Sequence, residues 1–141
     1  MKNLLLLFTG LFIFSSQSQS QTNGSITWDG LTRNYIVYLP TAYTPGSNLP
    51  LVFVLHGFTQ TANTIMNVTD FNSVAEDNDF IVVYPQGVSN AWNTNAGIPG
   101  GSTADDIGFI GALADEMHSL YNIDTNRVYS CGFSAGGYMS H

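Results

Sequence analysis

The sequence predicts an α/β fold in which a mostly parallel β-sheet is covered by helices on both faces. Continuous apolar or β-branched runs, which are typical of strands buried on both faces, alternate with segments that have helical spacing. The connections between these runs are long enough for crossovers, so we expect them to pair in parallel. The runs are Leu51–Leu55, Phe80–Tyr84 and Arg127–Phe133.

Two further strands are expected before this unit. Gly24–Asp29 has the composition of a short strand, and Arg33–Leu39 alternates and is rich in Tyr, Ile and Val. No helix separates them, so we expect an antiparallel pair. Residues 40–50 are rich in proline and are predicted to form a loop. We interpret residues 21–141 as one domain, since neither an internal repeat nor a second domain is indicated.

Two helices are predicted where apolar residues recur every three or four positions, over Asp70–Asp77 and Asp105–Tyr121. Thr103 is the expected N-cap of the second helix. The polar segment Thr59–Asn67 is predicted to be irregular. Val88–Thr103 is rich in Asn and Gly and is predicted to be a long loop, a length that often indicates function.

The first twenty residues have the pattern of a secretory signal peptide. Lys2 supplies a positive charge, Leu4–Phe14 is an apolar run too short to span a membrane, and residues 15–21 are small or polar. Cleavage is expected near Ser18 or Ser20. The pattern predicts an extracellular protein, or a periplasmic one in a Gram-negative bacterium. A tethering helix and a buried core helix are the alternatives.

The charge and the cysteine count exclude several classes of protein. The formal net charge is −7, and a surface with this charge repels phosphate backbones, so we expect no nucleic-acid partner. We also expect no membrane contact after the signal peptide is removed. Cys131 is the only cysteine, which excludes an internal disulfide, and we interpret it as a small core residue. The three histidines have no metal-ligand spacing, and we expect neither a metal nor a cofactor.

Residues 132–136 read Gly-Phe-Ser-Ala-Gly and match the motif G-x-S-x-G. In an α/β-hydrolase this motif forms a sharp strand–turn–helix, the nucleophile elbow, which exposes the serine oxygen. Here a strand would precede Ser134 and a helix would begin at Ala135, whose N–H would point to a developing oxyanion. Gly132 and Gly136 are needed because the flanking chains pass closely. The alternative is a plain Gly-Ser-Gly turn.

A second oxyanion donor is expected in the loop after the strand Leu51–Leu55. Gly57 would let the backbone approach the site, and the N–H of Phe58 is the best donor candidate. His56 follows the strand directly. It could be the catalytic base, but the order serine, acid, histidine in this fold favours a histidine that shapes the loop.

With both motifs placed, the chain resembles the secreted esterases grouped as polyhydroxybutyrate-depolymerase-like and feruloyl-esterase-like, a plant-biomass-esterase branch of the α/β-hydrolases. Order and spacing agree across residues 31–141. Five stretches carry the resemblance: R-N-Y-I-V-Y-L-P at 33–40, L-P-L-V-F-V-L-H-G-F-T-Q at 49–60, F-I-V-V-Y-P-Q-G at 80–87, D-D-I-G-F-I at 105–110 and Y-N-I-D-T-N-R-V-Y-S-C-G-F-S-A-G-G-Y-M-S at 121–140.

The resemblance implies a catalytic Ser134 with oxyanion donors at Phe58 and Ala135. The implied substrate is an ester, either a feruloyl or acetyl group on a polysaccharide or a short polyester such as polyhydroxybutyrate. Many relatives have a cysteine at the position of Phe58, often in a disulfide. This chain offers no such pair, so its loop must be held by packing.

The triad acid and histidine are expected beyond residue 141, because they follow the serine in this fold. The chain would then be the N-terminal portion of an α/β-hydrolase, cut after the elbow. His141 would lie two turns from Ser134 and is a poor base candidate, while Asp105 and Asp106 are interpreted as helix-start residues. We therefore expect this chain alone to lack full activity, since a serine without its base is a weak nucleophile.

Two questions stay open at the level of sequence. Trp92, in the long loop, could line an acyl or aryl pocket or could cap the core. The function has two rivals to the secreted serine esterase. One is a peptidase of the prolyl-oligopeptidase type, which also carries G-x-S-x-G-G, and the other is a non-catalytic remnant with a hydrolase fold. The oligomeric state is not indicated.

Overall fold

The computed structural model describes residues 20–94 and 101–141, which form a five-stranded sheet and four α-helices. The proposed signal peptide lies outside the described residues except for its last position. No helix within the two described ranges is long and apolar enough to cross a membrane. The strands are β1 (Ser20–Trp28), β2 (Leu31–Leu39), β3 (Leu51–Leu55), β4 (Ile81–Pro85) and β5 (Val128–Gly132). The helices are α1 (Ala62–Thr69), α2 (Phe71–Asn78), α3 (Asp106–Tyr121) and α4 (Ala135–Met139), with a short 3₁₀ turn at Val88–Asn90.

The sheet is mixed, with the strand order β1-β2-β4-β3-β5. β1 and β2 pair antiparallel, as predicted, and their two-residue connection has positive φ at Asp29 (49°) and Gly30 (73°), the geometry of a tight hairpin turn. β2 pairs antiparallel with β4, whereas β3 pairs in parallel with both β4 and β5. The parallel pairing predicted for the three apolar runs is therefore confirmed, and their carboxyl ends share one edge of the sheet.

Helices cover both faces of the sheet, as the sequence predicts. Alternate residues of a strand point to opposite faces, so Phe53 packs toward α3 while Val54 packs toward α1 and α2. On the α3 face the core includes Leu113 and Met117, and on the other face it includes Ile65, all fully buried. The sheet is thus held between two apolar layers, which fixes the strand ends that carry the site.

The prediction that Thr59–Asn67 is irregular is wrong, because α1 begins within it. Thr61 caps this helix by accepting a hydrogen bond from the Thr64 N–H at 3.1 Å. Ala62, Ile65 and Met66 are buried at helical spacing, but the Thr and Asn residues between them hide the pattern in the sequence. The burial of these three side chains against the sheet stabilises the helix.

Two smaller predictions also need correction. The N-cap of α3 is Asp105 rather than Thr103, since the Asp105 carboxylate accepts from the Gly108 N–H at 3.0 Å. β5 was expected to be buried on both faces, but Tyr129 is 55% exposed. The physical reason is position, because β5 is the last strand in the described sheet and has β3 as its one neighbour there. Cys131 is half-buried against the α1 and α2 face, and burial raises the pKa of its thiol.

A buried ion pair joins the sheet to the start of α3. Arg33 Nη2, from β2, lies 2.5 Å from Asp106 Oδ1, and both side chains are almost inaccessible to solvent. The guanidinium carbon of Arg33 also sits 3.9 Å from the ring centroid of Phe109. The second carboxylate oxygen of Asp106 accepts from the Asn93 N–H at 2.7 Å. The pair thereby fixes the loop that follows β4.

Replacement of Asp106 by alanine tests this pair. The change leaves the Arg33 charge buried and uncompensated, so we expect the free energy of unfolding to fall by about 3–5 kcal/mol. Urea denaturation of Asp106→Ala measures the loss, and Asp115→Ala, at an exposed position of the same helix, is the matched control. Equal midpoints for the two variants would show that the pair contributes nothing to stability.

Candidate active site

Ser134 lies on the turn between β5 and α4, in the strand–turn–helix context that its motif requires. Its backbone has φ 51° and ψ −115°, a combination that non-glycine residues rarely adopt. Such strain persists only where the surrounding structure enforces it, and it is common at functional sites. The residue is exposed, and within residues 20–94 and 101–141 its hydroxyl has no hydrogen-bond partner. The serine is thus presented to solvent at the carboxyl edge of the sheet.

Two glycines allow the chains around this turn to pass at close range. A Cβ added to Gly136 would lie 2.2 Å from the carbonyl oxygen of Leu55, and one added to Gly132 would lie 2.5 Å from the carbonyl carbon of Gly136. Neither distance is compatible with a side chain. The N–H of Phe133 donates to the same Leu55 carbonyl at 3.1 Å. The turn is therefore fixed against the end of β3.

The loop after β3 is a tight turn over residues 57–60. The Gly57 carbonyl accepts from the Gln60 N–H at 3.1 Å, and Thr59 has a φ of 66°. The Gly57 N–H donates to Gln60 Oε1 at 2.9 Å, and the Thr59 N–H donates to the Asn90 carbonyl at 2.9 Å. Three of the four N–H groups of this turn are therefore engaged.

The remaining N–H of the turn belongs to Phe58. It has no acceptor in the described part of the chain, and the same holds for the N–H of Ala135, which as the first residue of α4 has no intrahelical acceptor. A Cβ added to Gly57 would lie 3.4 Å from the Phe133 carbonyl oxygen, so the loop passes close to the serine turn. The two N–H groups predicted as oxyanion donors are thus available on adjacent segments.

His56 is fully buried beneath this loop, and both of its ring nitrogens are occupied. Nε2 accepts from the Gly87 N–H at 3.0 Å, so the ring proton is on Nδ1, which donates to the Gly57 carbonyl at 2.8 Å. Burial lowers the pKa of the imidazole, which favours its neutral form. This arrangement supports the interpretation of His56 as a residue that shapes the loop rather than as a base.

Trp92 is 1% exposed and packs against the His56 ring with a centroid separation of 4.7 Å. Its indole N–H donates to the His56 carbonyl at 2.8 Å. Of the two roles expected from the sequence, this placement supports capping of the core. A buried indole has no surface left for a substrate, so the assignment of Trp92 as a substrate-binding residue is not supported.

Two glutamines that the sequence analysis did not select hold the site together. Gln60 accepts from the Gly57 N–H, as described above, and closes the turn. Gln86 accepts from the Ala62 N–H at 2.9 Å through Oε1, while its Nε2 donates to the Gly87 carbonyl at 3.0 Å and to Asn90 Oδ1 at 3.1 Å. The signal for both is a glutamine shortly after a buried strand and next to a glycine-containing turn.

The residues considered as triad partners are engaged elsewhere. Asp105 accepts from the Trp28 indole N–H at 3.1 Å as well as capping α3, and Asp106 is paired with Arg33. Both are structural, as interpreted from the sequence. His141, at the last position, is exposed and has no hydrogen bond to Ser134. Within the two described ranges, the site therefore contains the serine turn and the neighbouring N–H groups without an acid–histidine pair.

The fold is that of the α/β-hydrolases. The chain superposes on an S-formylglutathione hydrolase from Agrobacterium tumefaciens with a TM-score of 0.69 and 19% sequence identity, covering 87% of this chain and 54% of that one. It also superposes on the acetyl xylan esterase from Aspergillus awamori with a TM-score of 0.65 and 22% identity, covering 82% of this chain and 43% of that one.

The chain belongs to the esterase PHB depolymerase family, whose pattern matches residues 33–141. It is 34% identical over 114 residues to a bifunctional acetylxylan esterase/xylanase from Neocallimastix patriciarum, covering 79% of this chain and 16% of that protein. It is 36% identical over 100 residues to poly(3-hydroxyalkanoate) depolymerase C from Paucimonas lemoignei, covering 67% and 24%. The chain thus spans less than two thirds of the length of these relatives, and the resemblance noted from the sequence is confirmed.

Gly136→Ala tests the close passage at the serine turn. Its Cβ would collide with the Leu55 carbonyl, so we expect the free energy of unfolding to fall by about 1–3 kcal/mol. Gly111→Ala is the control, because no atom lies within 4 Å of its added Cβ and alanine should stabilise α3 by about 0.5–1 kcal/mol. Urea denaturation distinguishes the two, and a stable Gly136→Ala protein would contradict the geometry.

His56 predicts a pH dependence of stability. Its pKa in the folded chain is below the ordinary value of 6.5, so between these two values the unfolded chain binds more protons. The contribution of the neutral His56 ring to the free energy of unfolding is complete above pH 6.5. It is lost as the pH falls below this value, by at most about 1.4 kcal/mol per pH unit. The difference in unfolding free energy between the protein and His56→Gln should therefore shrink between pH 7 and pH 5, and a constant difference would refute the prediction.

Proposed function

We propose that the protein is a serine carboxylic-ester hydrolase in which Ser134 is the nucleophile. The observation that carries the proposal is the strained, exposed backbone of Ser134 beside two N–H groups without acceptors, those of Phe58 and Ala135. A serine presented in this way, next to preorganised donors, is what acyl transfer requires. Membership of an esterase family supports the same reaction.

The proposed reaction has two steps. The Ser134 oxygen attacks the ester carbonyl, and the C–O bond to the alcohol breaks as the alcohol leaves with a proton. Water then attacks the acyl-enzyme, and the C–O bond to Ser134 breaks. The water supplies the OH group of the released acid and the proton that restores the serine hydroxyl. The N–H groups of Phe58 and Ala135 stabilise both tetrahedral oxyanions, and each such donor typically contributes about 2.7–4 kcal/mol. This chemistry needs no metal and no cofactor.

The base and its acid partner are proposed to come from outside the described residues. His56 uses both ring nitrogens, and Asp106 is committed to the ion pair with Arg33. A serine without a base is a weak nucleophile, so residues 1–141 alone should turn over esters far more slowly than the whole enzyme.

The proposed substrate is an ester on a polysaccharide, feruloyl or acetyl, or a short polyester such as polyhydroxybutyrate. The names of the relatives include acetylxylan esterase, feruloyl esterase and poly(3-hydroxybutyrate) depolymerase. Two exposed aromatic side chains support an apolar acyl group, since Phe58 is 38% exposed and Phe133, which adjoins Ser134, is 59% exposed. Secretion is proposed from the pattern of the first twenty residues.

Labelling with a fluorophosphonate tests the nucleophile. The full-length protein should be labelled at Ser134, and Ser134→Ala should lose both the label and the hydrolysis of p-nitrophenyl esters, by a factor on the order of 10⁴ or more. Ser130→Ala, at an exposed serine on β5, is the matched control and should behave as the parent protein.

Two further outcomes separate the rivals. Faster cleavage of peptide amides than of p-nitrophenyl esters would replace the esterase by a peptidase of the prolyl-oligopeptidase type. A full-length protein that neither accepts the label nor turns over esters would be a non-catalytic hydrolase fold. Turnover at a normal enzyme rate by residues 1–141 alone would overturn the proposed origin of the base.

A further inference from the structure

A concave surface lies between the β1–β2 hairpin and the first turn of α1, away from Ser134. We call it the hairpin groove, and its volume is about 670 Å³. Its apolar floor includes Ile36 and Ala62, which are buried. Its polar side chains include those of Asn23, Ser25, Asn34 and Asn63. An apolar floor with a few convergent polar groups is the usual composition of a ligand site.

The groove opens at the same sheet edge as the serine turn. Tyr35 in β2 is opposite Pro85, the last residue of β4, and the neighbouring residues of β2 belong to the groove. β4, β3 and β5 run in parallel, so the end of β4 and Ser134 after β5 lie at one edge. Three strand spacings separate β2 from β5 in the sheet order, which is roughly 14 Å. A ligand that reaches both places must be an extended chain.

The polar groups of the groove have unused hydrogen-bonding capacity. The side chains of Asn23, Ser25, Asn34 and Asn63 are exposed, and none of them bonds to another group in the described part of the protein. This distinguishes them from Gln86, which also lines the groove but whose side-chain amide is already hydrogen-bonded to the backbone of Ala62 and Gly87. Four side chains from three elements (β1, β2 and α1) therefore line one concavity with donors and acceptors free.

The chemistry of these groups selects the ligand. Amides and hydroxyls both donate and accept, which matches the hydroxyl groups of a sugar, since each of these also does both. A polyester has acceptors alone and would leave the amide oxygens without donors. No residue that lines the groove is charged, although the chain carries a formal net charge of −7, so an anionic sugar would find no counter-charge there.

We propose that the hairpin groove binds a neutral oligosaccharide, as a subsite separate from Ser134. The proposed binding depends only on the residues of the groove. The role of the groove in catalysis rests on the proposed function, because a polysaccharide bound there could extend along the sheet edge and bring an ester substituent to Ser134. This assigns the polysaccharide-linked ester, rather than the polyester, as the substrate class that the protein is built to hold.

Calorimetric titration with xylohexaose, a neutral oligosaccharide, tests the subsite. The full-length protein should bind it, and Asn34→Ala/Asn63→Ala should weaken the binding roughly tenfold or more, since two hydrogen bonds are lost. Asn126→Ala, an exposed asparagine beyond the other end of β5, should bind as the parent protein does. Asn23→Ala changes the opposite wall of the groove and should weaken binding independently, which guards against a folding defect in the double variant.

The outcomes separate this subsite from the esterase proposal. Ser134→Ala should keep its affinity for xylohexaose while losing ester hydrolysis. Absence of binding, or equal affinities for the parent protein and both groove variants, would overturn the subsite and leave the esterase proposal intact. Tighter binding of an oligogalacturonate or a 3-hydroxybutyrate oligomer, lost in the groove variants, would overturn the neutral sugar as the ligand.

Discussion

The contact between the carbonyl of Leu55 and the backbone of Gly136 is the constraint on which the site depends. Leu55 ends β3 and pairs with Gly132 at the end of β5, so the two strands stop at the same level. The chain after Leu55 becomes the Gly57 turn, and the chain after Gly132 becomes the serine turn. No side chain fits between them, so the two turns pass each other at backbone distance. Preorganisation of this kind costs nothing at the moment of reaction.

Long-range hydrogen bonds support the Gly57 turn from below. The carboxylate of Asp106 accepts a hydrogen bond from the Asn93 N–H, and the neighbouring Trp92 donates its indole N–H to the His56 carbonyl. The His56 ring in turn donates to the Gly57 carbonyl and accepts from the Gly87 N–H. A buried indole and a neutral imidazole thus hold this loop in place. The position of the proposed donors therefore depends on a buried ion pair and on a neutral imidazole.

The sequence predicts the parts of the molecule whose signals are local. Continuous apolar runs locate β3 and β4 within a residue or two, and the glycine pattern locates the turn at Ser134. The contacts that support the site cannot be predicted from the sequence, because Trp92 and the His56 carbonyl are brought together only by the tertiary fold. The exposure of Tyr129 escapes it as well, since an apolar strand at a sheet edge and one at the centre have the same composition. The sequence does not reveal α1, because polar residues interrupt its apolar positions and one of these, Val68, is exposed.

The tight turn at Asp29 and Gly30 has a consequence for how the chain folds. A hairpin with such a turn closes locally, within about 1–10 μs, so β1 and β2 can pair before the rest of the sheet. The pairing of Leu51 with Val128 closes a much longer loop and is correspondingly slow. The hairpin wall of the groove is therefore expected early in folding, and the nucleophile turn is among the last parts of the sheet edge to be assembled.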